Sequence, residues 1–203
     1  MFDNNQIKKV QKFKSLLAEY NQQVNIYSKR SYDDLDGHIQ DSFHLAQFIQ
    51  PSERHVDLGS GAGLPGVIMA IASSSLIICV ESKEKKRAFL KHVKYALDLK
   101  NLSIFEGDVQ RFAKCYSGLQ ITSFSAKAFA KPPKLLMYLS KFKSNQFQKN
   151  AVCWVPISER QASFLSAYDD VVSIKNKAIF YYFKIRMGAF QSYKADLKRQ
   201  YSL

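Results

Sequence analysis

The stretch His55-Val-Asp-Leu-Gly-Ser-Gly-Ala-Gly-Leu-Pro-Gly66 decides how the rest of the chain is read. A short apolar run closes on Asp57, and glycines follow at alternate positions, Gly59, Gly61 and Gly63. Leu64-Pro65 then leads into the apolar run Val67-Ile-Met-Ala-Ile-Ala72. The pattern is strand, tight turn, helix. Glycine is needed where the backbone takes positive φ, or where a ligand approaches too closely for a Cβ, and glycines packed this densely ask for both. Pro65 suits the first turn of the helix, where its missing N–H has no intrahelical partner to lose. The plain alternative is an ordinary glycine turn; the flanking strand and helix favour a ligand loop.

Downstream, Ser73-Ser-Ser75 makes a break and Leu76-Ile-Ile-Cys-Val80 is an apolar run of strand length that ends at Glu81. Ser82 to Leu97 reads as a strongly basic helix burying Phe89, Leu90, Val93 and Leu97. Leu102 to Phe105 is the next strand and delivers Glu106, Gly107 and Asp108 at its end. Ile121 to Ala126 is a fourth strand ending at Lys127, and Ala151 to Val155 a fifth, with a helix from Lys134 to Phe142 between them. Continuous apolar strands alternating with helices predict a parallel sheet covered on both faces. Asp170 to Ile174 and Ala178 to Ile185, around a Lys-Asn-Lys turn, predict an antiparallel hairpin closing that sheet.

Upstream, Ile7, Val10, Phe13, Leu17, Tyr20 and Val24 recur at helical spacing over Gln6 to Asn25, with Lys8, Lys9, Lys12 and Lys14 on the other face. A second helix from Asp34 to Ile49 offers Leu35, Ile39, Phe43, Ala46 and Phe48 inward and gathers His38, Asp41 and Ser42 over about one turn; Pro51 stops it. The expected fold class is therefore α/β and Rossmann-like. It has a mostly parallel central sheet, a C-terminal antiparallel hairpin and an N-terminal helical extension. Residues 1–50 are the extension, 51–190 the Rossmann-like domain and 191–203 a basic tail with Lys194, Lys198 and Arg199, all within one compact domain.

With 203 residues, 46% of them hydrophobic, the chain can bury a full core, and its aromatic content of 13% argues against disorder. A formal net charge of +13 and a pI near 9.6 imply a polyanionic partner, either nucleic acid or an acidic membrane surface. The basic residues are spread along the chain, so a charged face is expected. Cys79, Cys115 and Cys153 stand far apart without a CxxC pair, which indicates neither a disulfide framework nor a zinc site, and no metal is expected. The start of the chain has no apolar signal-like region, and no stretch approaches the roughly 18 apolar residues of a membrane span. A cytoplasmic monomer without membrane contact is the expectation.

In an open α/β sheet the ligand lies beyond the carboxyl ends of the strands. Gly59 to Gly63, Glu81 and Asp108 all fall at such ends. An acidic residue closing the second strand accepts hydrogen bonds from both ribose hydroxyls of a nucleotide-like ligand, which is the role expected of Glu81; the bland reading is a carboxylate at a helix N-terminus. A dinucleotide fingerprint is GxGxxG, whereas this loop is DxGxGxG, and the P-loop lysine with its serine or threonine is missing. The remaining common ligand is S-adenosylmethionine, which makes a methyltransferase the leading enzyme class.

The acceptor is narrowed by what is absent. Methylation at C5 of a pyrimidine needs a thiolate, and no cysteine follows a proline at a strand end. Exocyclic amine methylation commonly uses Asp or Asn before Pro-Pro-aromatic, whereas Lys131-Pro-Pro-Lys134 has lysine at both flanks and reads as a proline break. An acceptor with an available lone pair needs no general base, and guanine N7 is such an atom. Catalysis would then be mostly positioning.

At this point the motifs resemble a known family, the bacterial small-subunit rRNA guanine-N7 methyltransferases, RsmG or GidB. The residues that carry the resemblance are Asn25-Ile-Tyr, His38-Ile-Gln-Asp-Ser42, Asp57 to Gly66, Lys86-Arg-Ala-Phe-Leu90 and Lys127-Ala-Phe-Ala130. The resemblance implies S-adenosylmethionine as cofactor and a guanosine in 16S rRNA of the small ribosomal subunit as substrate. It implies cofactor contacts at Gly59, Leu64, Val109, Gln110 and Lys127, with Glu81 as the ribose acid. Gly61, Gly63 and Asp108 complete the expected cofactor site, and His38, Asp41 and Lys127 are the positioning candidates. Departures from the family pattern are Lys127 for the arginine before Ala-Phe-Ala, Gly37 for the arginine before the histidine, Asp108, and Trp154-Val-Pro156 in place of a late lysine-glycine element. Lysine presents a point charge where arginine presents a planar fork. These differences bear on substrate positioning more than on cofactor binding. They motivate the alternative of a degenerate member that binds rRNA or cofactor without efficient turnover, while a nicotinamide-dependent enzyme is disfavoured by the glycine spacing.

Overall fold

A computed structural model describes residues 2–49, 53–157, 171–175 and 181–187. The first helix, α1 (Asn4–Gln23), starts at a capping box in which Asp3 accepts from the Gln6 amide at 2.8 Å and Gln6 accepts from the Asp3 amide at 3.0 Å. Its apolar stripe buries Phe13 and Leu17, while Ile7 at the N-terminal end stays 40% exposed instead of turning inward. A short helix the periodicity does not announce, α2 (Lys29–Tyr32), is capped by Ser28. The connection before it is tied by Asn21, whose side chain donates to Tyr27 O and accepts from the amides of Ile26 and Tyr27, each at 2.9 Å. Then come α3 (Leu35–Ala46), shorter than the expected span to Ile49, and β1 (Arg54–Leu58).

The alternation that follows is α4 (Gly66–Ala72), β2 (Leu76–Glu81), α5 (Glu84–Ala96), β3 (Leu102–Glu106), α6 (Val109–Cys115), β4 (Ile121–Ser125), α7 (Pro132–Leu139), β5 (Phe147–Ile157), β6 (Val171–Lys175) and β7 (Tyr181–Arg186). Two boundaries moved for physical reasons. Pro65 lies just outside α4 as its N-cap rather than within the first turn. Conversely, α7 begins at Pro132 and Pro133, the positions where a missing N–H costs nothing, rather than at Lys134. The seven residues of α6 were too few to show a periodicity in the sequence.

The strands form one seven-stranded sheet in the order β3-β2-β1-β4-β5-β7-β6. The first five are mutually parallel, and β7 runs antiparallel to both β5 and β6. Lys175 of the expected Lys-Asn-Lys turn ends β6, while the rest of that turn and the start of the second hairpin strand, residues 176–180, lie outside the described residues, as do residues 188–203 with the basic tail and Pro51. One core packs α1, α3, α4 and α5 on one face through Phe13, Leu17, Leu45, Ile68, Phe89 and Leu90; the other packs α6 and α7 through Phe112, Leu135, Leu139 and Phe142. Each such side chain contributes about 1.5–3 kcal/mol on burial. The N-terminal helices therefore share a core with α4 and α5: Tyr20 lies 5.1 Å from the Phe89 ring and donates to Lys85 O, and Lys12 Nζ donates to Ala96 O at 2.7 Å. Phe48 is 37% exposed and stacks on Trp154 at 4.9 Å rather than entering the core. No helix among the described residues is long and apolar enough to cross a membrane.

Strand order reverses between β1 and β4, and at such a switch point the loops leave in opposite directions and open a crevice at the carboxyl ends.

Candidate functional site

The crevice floor is the loop after β1. Gly59, Gly61 and Gly63 adopt φ of +70°, +60° and +95°, in the region that penalises any Cβ. The Gly59 and Ser60 amides both donate to Val80 O, at 2.9 and 3.2 Å, and the Gly63 amide donates to Ser60 O at 2.8 Å. Beyond φ, the three glycines answer different demands. A Cβ on Gly59 would sit 2.2 Å from Cδ2 of Phe129, and one on Gly63 would sit 2.5 Å from Cγ2 of Val67, so protein side chains close over both. A Cβ on Gly61 would meet nothing nearer than 3.8 Å, so its backbone faces open room.

Glu81, at the end of β2, lies under that open glycine. It is only 5% exposed; one carboxylate oxygen accepts from the Gly61 amide and the other from the Lys83 amide, both at 2.8 Å. An ionised carboxylate has about four lone-pair sites, so each oxygen keeps capacity for a ligand hydroxyl.

The opposite wall comes from α3 and from the turn after β4. Lys127 follows β4, and Ala128 beside it takes φ of +50°, a strained conformation for a residue with a Cβ and one that concentrates at functional sites. Lys127 Nζ stands 3.5 Å from His38 O and 4.0 Å from Asp41 Oδ2. Burial pushes the Asp41 carboxyl up to about 6 although Lys127 and His44 pull it down. Burial likewise brings Lys127 down to about 8, with Asp41 opposing. The two shifts agree that desolvation outweighs the attraction across this long contact. His38 is held below its ordinary value by burial and by Lys127, against Asp34 at 3.8 Å. Its Nδ1 is 2.5 Å from the hydroxyl of Tyr27, whose own ionisation burial pushes well upward, so the phenol stays neutral and donates to Nδ1.

These groups line a cleft of about 170 Å³ that includes Tyr27, His38, Gly61, Leu64, Lys86 and Lys127. A larger cleft of about 270 Å³ between α1 and α5, with Leu16, Glu19, Tyr20, Gln23 and His92, has no glycine backbone at its floor and a single carboxylate on its wall, and does not match a nucleotide-like ligand. Of the residues singled out from sequence, Gly59, Gly61, Leu64, His38 and Lys127 line the smaller cleft, with Glu81 hydrogen-bonded beneath Gly61. Asp41 is buried beside Lys127, and Ser42 turns back to donate to His38 O at 2.7 Å. Gly63 packs under Val67 and Leu90. Asp108 is used as the N-cap of α6, accepting from the Arg111 amide at 2.8 Å; Val109 is buried in the core on the α6 side and Gln110 is exposed, and none of the three lines the cleft. Tyr27, Ser31, Lys86 and Ala128 are among the residues that line it without having been named as site residues; of these four, all but Ser31 did stand in the motifs that carried the resemblance. Among the described residues no group of three or more His, Cys, Asp or Glu could hold a metal ion.

Comparison with known proteins gives this geometry a context. The GidB family model, rRNA small subunit methyltransferase G, matches residues 6–148. The ribosomal RNA small subunit methyltransferase G of Helicobacter bizzozeronii is 40% identical over 97 residues, 47% of this chain and 54% of that protein. The protein of the same name from Helicobacter acinonychis is 27% identical over 176 residues, 86% of this chain and 94% of the relative. The chain spans about half the length of four of the relatives of that name that it matches. Among solved structures, a methyltransferase from Geobacter sulfurreducens superposes with a TM-score of 0.59 at 15% identity, covering 88% of both chains. A mutant of MtNAS in complex with S-adenosylmethionine superposes at 0.55 and 18% identity, covering 88% of this chain and 74% of that one. These likenesses speak to the fold. With a model match over most of its length, the chain belongs to the rRNA small subunit methyltransferase G family.

Proposed function

We propose that this chain is a S-adenosylmethionine-dependent methyltransferase that methylates N7 of a guanosine in 16S rRNA of the small ribosomal subunit, in the cytoplasm. The observation that carries the reading is Gly61. It is the glycine whose backbone faces open room, and it is hydrogen-bonded from below to a buried carboxylate at the end of β2. A bare backbone crest beside an acid with spare lone pairs suits a ligand with an amino-acid end and a ribose. The residues present therefore fit the cofactor. Gly61, Leu64 and Lys86 would border it and Glu81 would accept from its sugar hydroxyls.

When bound, S-adenosylmethionine supplies an electrophilic methyl group on a sulfonium. Guanine N7 attacks with its own lone pair, so the chain needs no general base and no Lewis acid, and we read the protein as working without a metal and as a single chain. The work left to the side chains is orientation and exclusion of water. Lys127, its charge largely desolvated, is placed to steady an anionic or carbonyl oxygen of the incoming nucleotide. His38, kept neutral and anchored by Tyr27, offers a flat polar edge rather than a proton. The basic residues of α1 and α5 would meet phosphates, which makes binding steeply salt-dependent. Residues 1–50 act in this reading as a helical flank of one domain, and the antiparallel pair β6 and β7 would be the C-terminal hairpin at the sheet edge.

The test is methyl transfer from radiolabelled donor to small ribosomal subunits and to 16S rRNA, with N7 products mapped by borohydride and aniline scission. Label at a single guanosine is expected. Donor binding without transfer to either substrate would overturn the reading in favour of a non-catalytic binder.

A further inference from the structure

Beneath the glycine loop lies a buried polar chain that the proposed reaction does not use. His55 on β1 is completely buried, yet both ring nitrogens are engaged: Nδ1 is 2.9 Å from Ser123 Oγ and Nε2 is 2.8 Å from Ser125 Oγ, both on β4. Ser125 donates its hydroxyl proton to Asp57 Oδ1 at 2.7 Å, and Asp57 Oδ2 accepts from the Gly66 amide at 3.2 Å, at the start of the helix that leaves the loop. Gly66 can host this contact only because it lacks a Cβ, which would sit 2.8 Å from Asp57 Oδ2.

Proton bookkeeping gives this chain one direction. A hydroxyl has a single proton, and the Ser125 proton is committed to Asp57, so Ser125 must accept from His55. His55 is then the Nε2-protonated tautomer, and its bare Nδ1 must accept from Ser123. Burial drives the imidazolium form down to about 3, which keeps the ring neutral at working pH. Burial is also what pushes the Asp57 carboxyl up to about 6, against the hydrogen bonds that favour its charge. The groups facing Asp57 from its neighbours are Cys79 and Glu81 on β2, Lys127 after β4 and Cys153 on β5.

We propose that His55 is a positioning residue for the cofactor loop: through Ser125 it holds the Asp57 carboxylate against the Gly66 amide, and so fixes where the loop between them stands. The inference rests on the reading of that loop as the donor cradle. Without the Nε2 proton, Ser125 loses its donor and is free to turn from Asp57, and the carboxylate loses the β4 hydrogen bond that steadies its contact with the Gly66 amide.

The experiment uses the full chain. Nitrogen-15 NMR of the histidine rings at neutral pH should show His55 as a neutral Nε2-protonated imidazole; an Nδ1-protonated ring or an imidazolium would overturn the relay. Calorimetric titration with S-adenosylmethionine then compares the wild type with H55Q, which returns an N–H near the Nε2 position, and H55L, which does not. H55L should bind about tenfold more weakly and H55Q within about threefold of wild type. Equal binding by H55L, or a loss in H55Q as large as in H55L, would overturn the positioning role. Should H55L not fold, S125A breaks the same link and should show the same tenfold loss; unchanged binding by S125A counts against the proposal equally. A wild type that does not bind the donor at all would remove the cradle reading, and the positioning role with it, while the NMR result on the direction of the relay stands apart.

Discussion

The glycine loop after β1 and the Lys127 corner after β4 face each other across one cleft, yet they are held in opposite ways. The loop is tied by backbone and buried hydrogen bonds of 2.7 to 3.2 Å, from Gly59 and Gly63 through Glu81 and Asp57. The corner rests on contacts of 3.5 and 4.0 Å between a desolvated ammonium, a carbonyl and a desolvated carboxylate. A network at full hydrogen-bond strength resists deformation, whereas a loosely matched buried pair has electrostatic energy left to realise when a new partner arrives. The difference teaches that the floor is held in a fixed shape by full-strength hydrogen bonds, while the wall sets a desolvated charge beside it.

The sharpest way to break this comparison is to add a methyl group to two neighbouring glycines. Gly59→Ala drives a Cβ into Phe129 in a positive-φ residue, and the sum of conformational strain and overpacking is about 2–5 kcal/mol, read in urea unfolding. Gly61→Ala pays only the conformational part, about 1–2 kcal/mol, because nothing stands over it. Its main loss should appear in donor affinity. Equal destabilisation of the two variants, or unchanged donor binding by Gly61→Ala, would contradict the division between closed and open glycines.

On the wall, Lys127→Met should cost about 2 kcal/mol at neutral pH by taking from buried Asp41 the larger of the two charges that oppose its own, somewhat less than for a tightly made pair. The pH dependence has a definite sign. Asp41 already titrates about two units above an ordinary aspartate when folded, and loss of Lys127 moves it higher. A carboxyl raised on folding makes the native state bind the extra proton, so its contribution falls as pH rises from the unfolded value through the folded one. In the variant that decline should extend past pH 6, at up to about 1.4 kcal/mol per pH unit. Unfolding midpoints at pH 5 and 7.5 should therefore diverge more in the variant than in the wild type; parallel curves would show that the two groups are not coupled.

A smaller effect belongs to Glu81→Gln. The amide keeps one acceptor but presents an N–H₂ to a backbone donor, and donor affinity should drop about tenfold, or 1.4 kcal/mol, by calorimetry. No change would place the sugar elsewhere. The smallest is Tyr27→Phe, about 0.5–1 kcal/mol of stability. Because the phenol donates to the neutral ring, its removal should let His38 titrate at higher pH, seen by NMR; an unmoved titration would mean that Tyr27 does not donate to that ring.

Much of this was legible in the residues. The alternation of apolar strands and amphipathic helices announced the parallel sheet, because period and burial are local consequences of side-chain type. Three features escaped because they depend on length, caps and contacts: α6 is too short to show a period, Phe48 finds Trp154 from another part of the chain, and α7 starts on its prolines. At the site, Gly61 and Glu81 were visible from their places at strand ends, and Lys127 from the resemblance. The roles of Asp108 and Ser42 were not, since both turn out to bond their own helix, a choice that a list of polar residues does not reveal. Tyr27 was hidden in a motif whose chemistry needed His38 beside it.

By itself the chain's order of residues determined a strand, a positive-φ turn and a helix, and an acid at the end of the following strand, because each of these is enforced within a few neighbouring peptide units. Only the tertiary structure decided which glycine stays open, that Phe129 covers Gly59, and that Lys127 lies at the carbonyl of His38, 89 positions away. Those facts depend on β1 and β4 becoming neighbours in the sheet, and strand order is set by the packing of the whole core rather than by any segment of it.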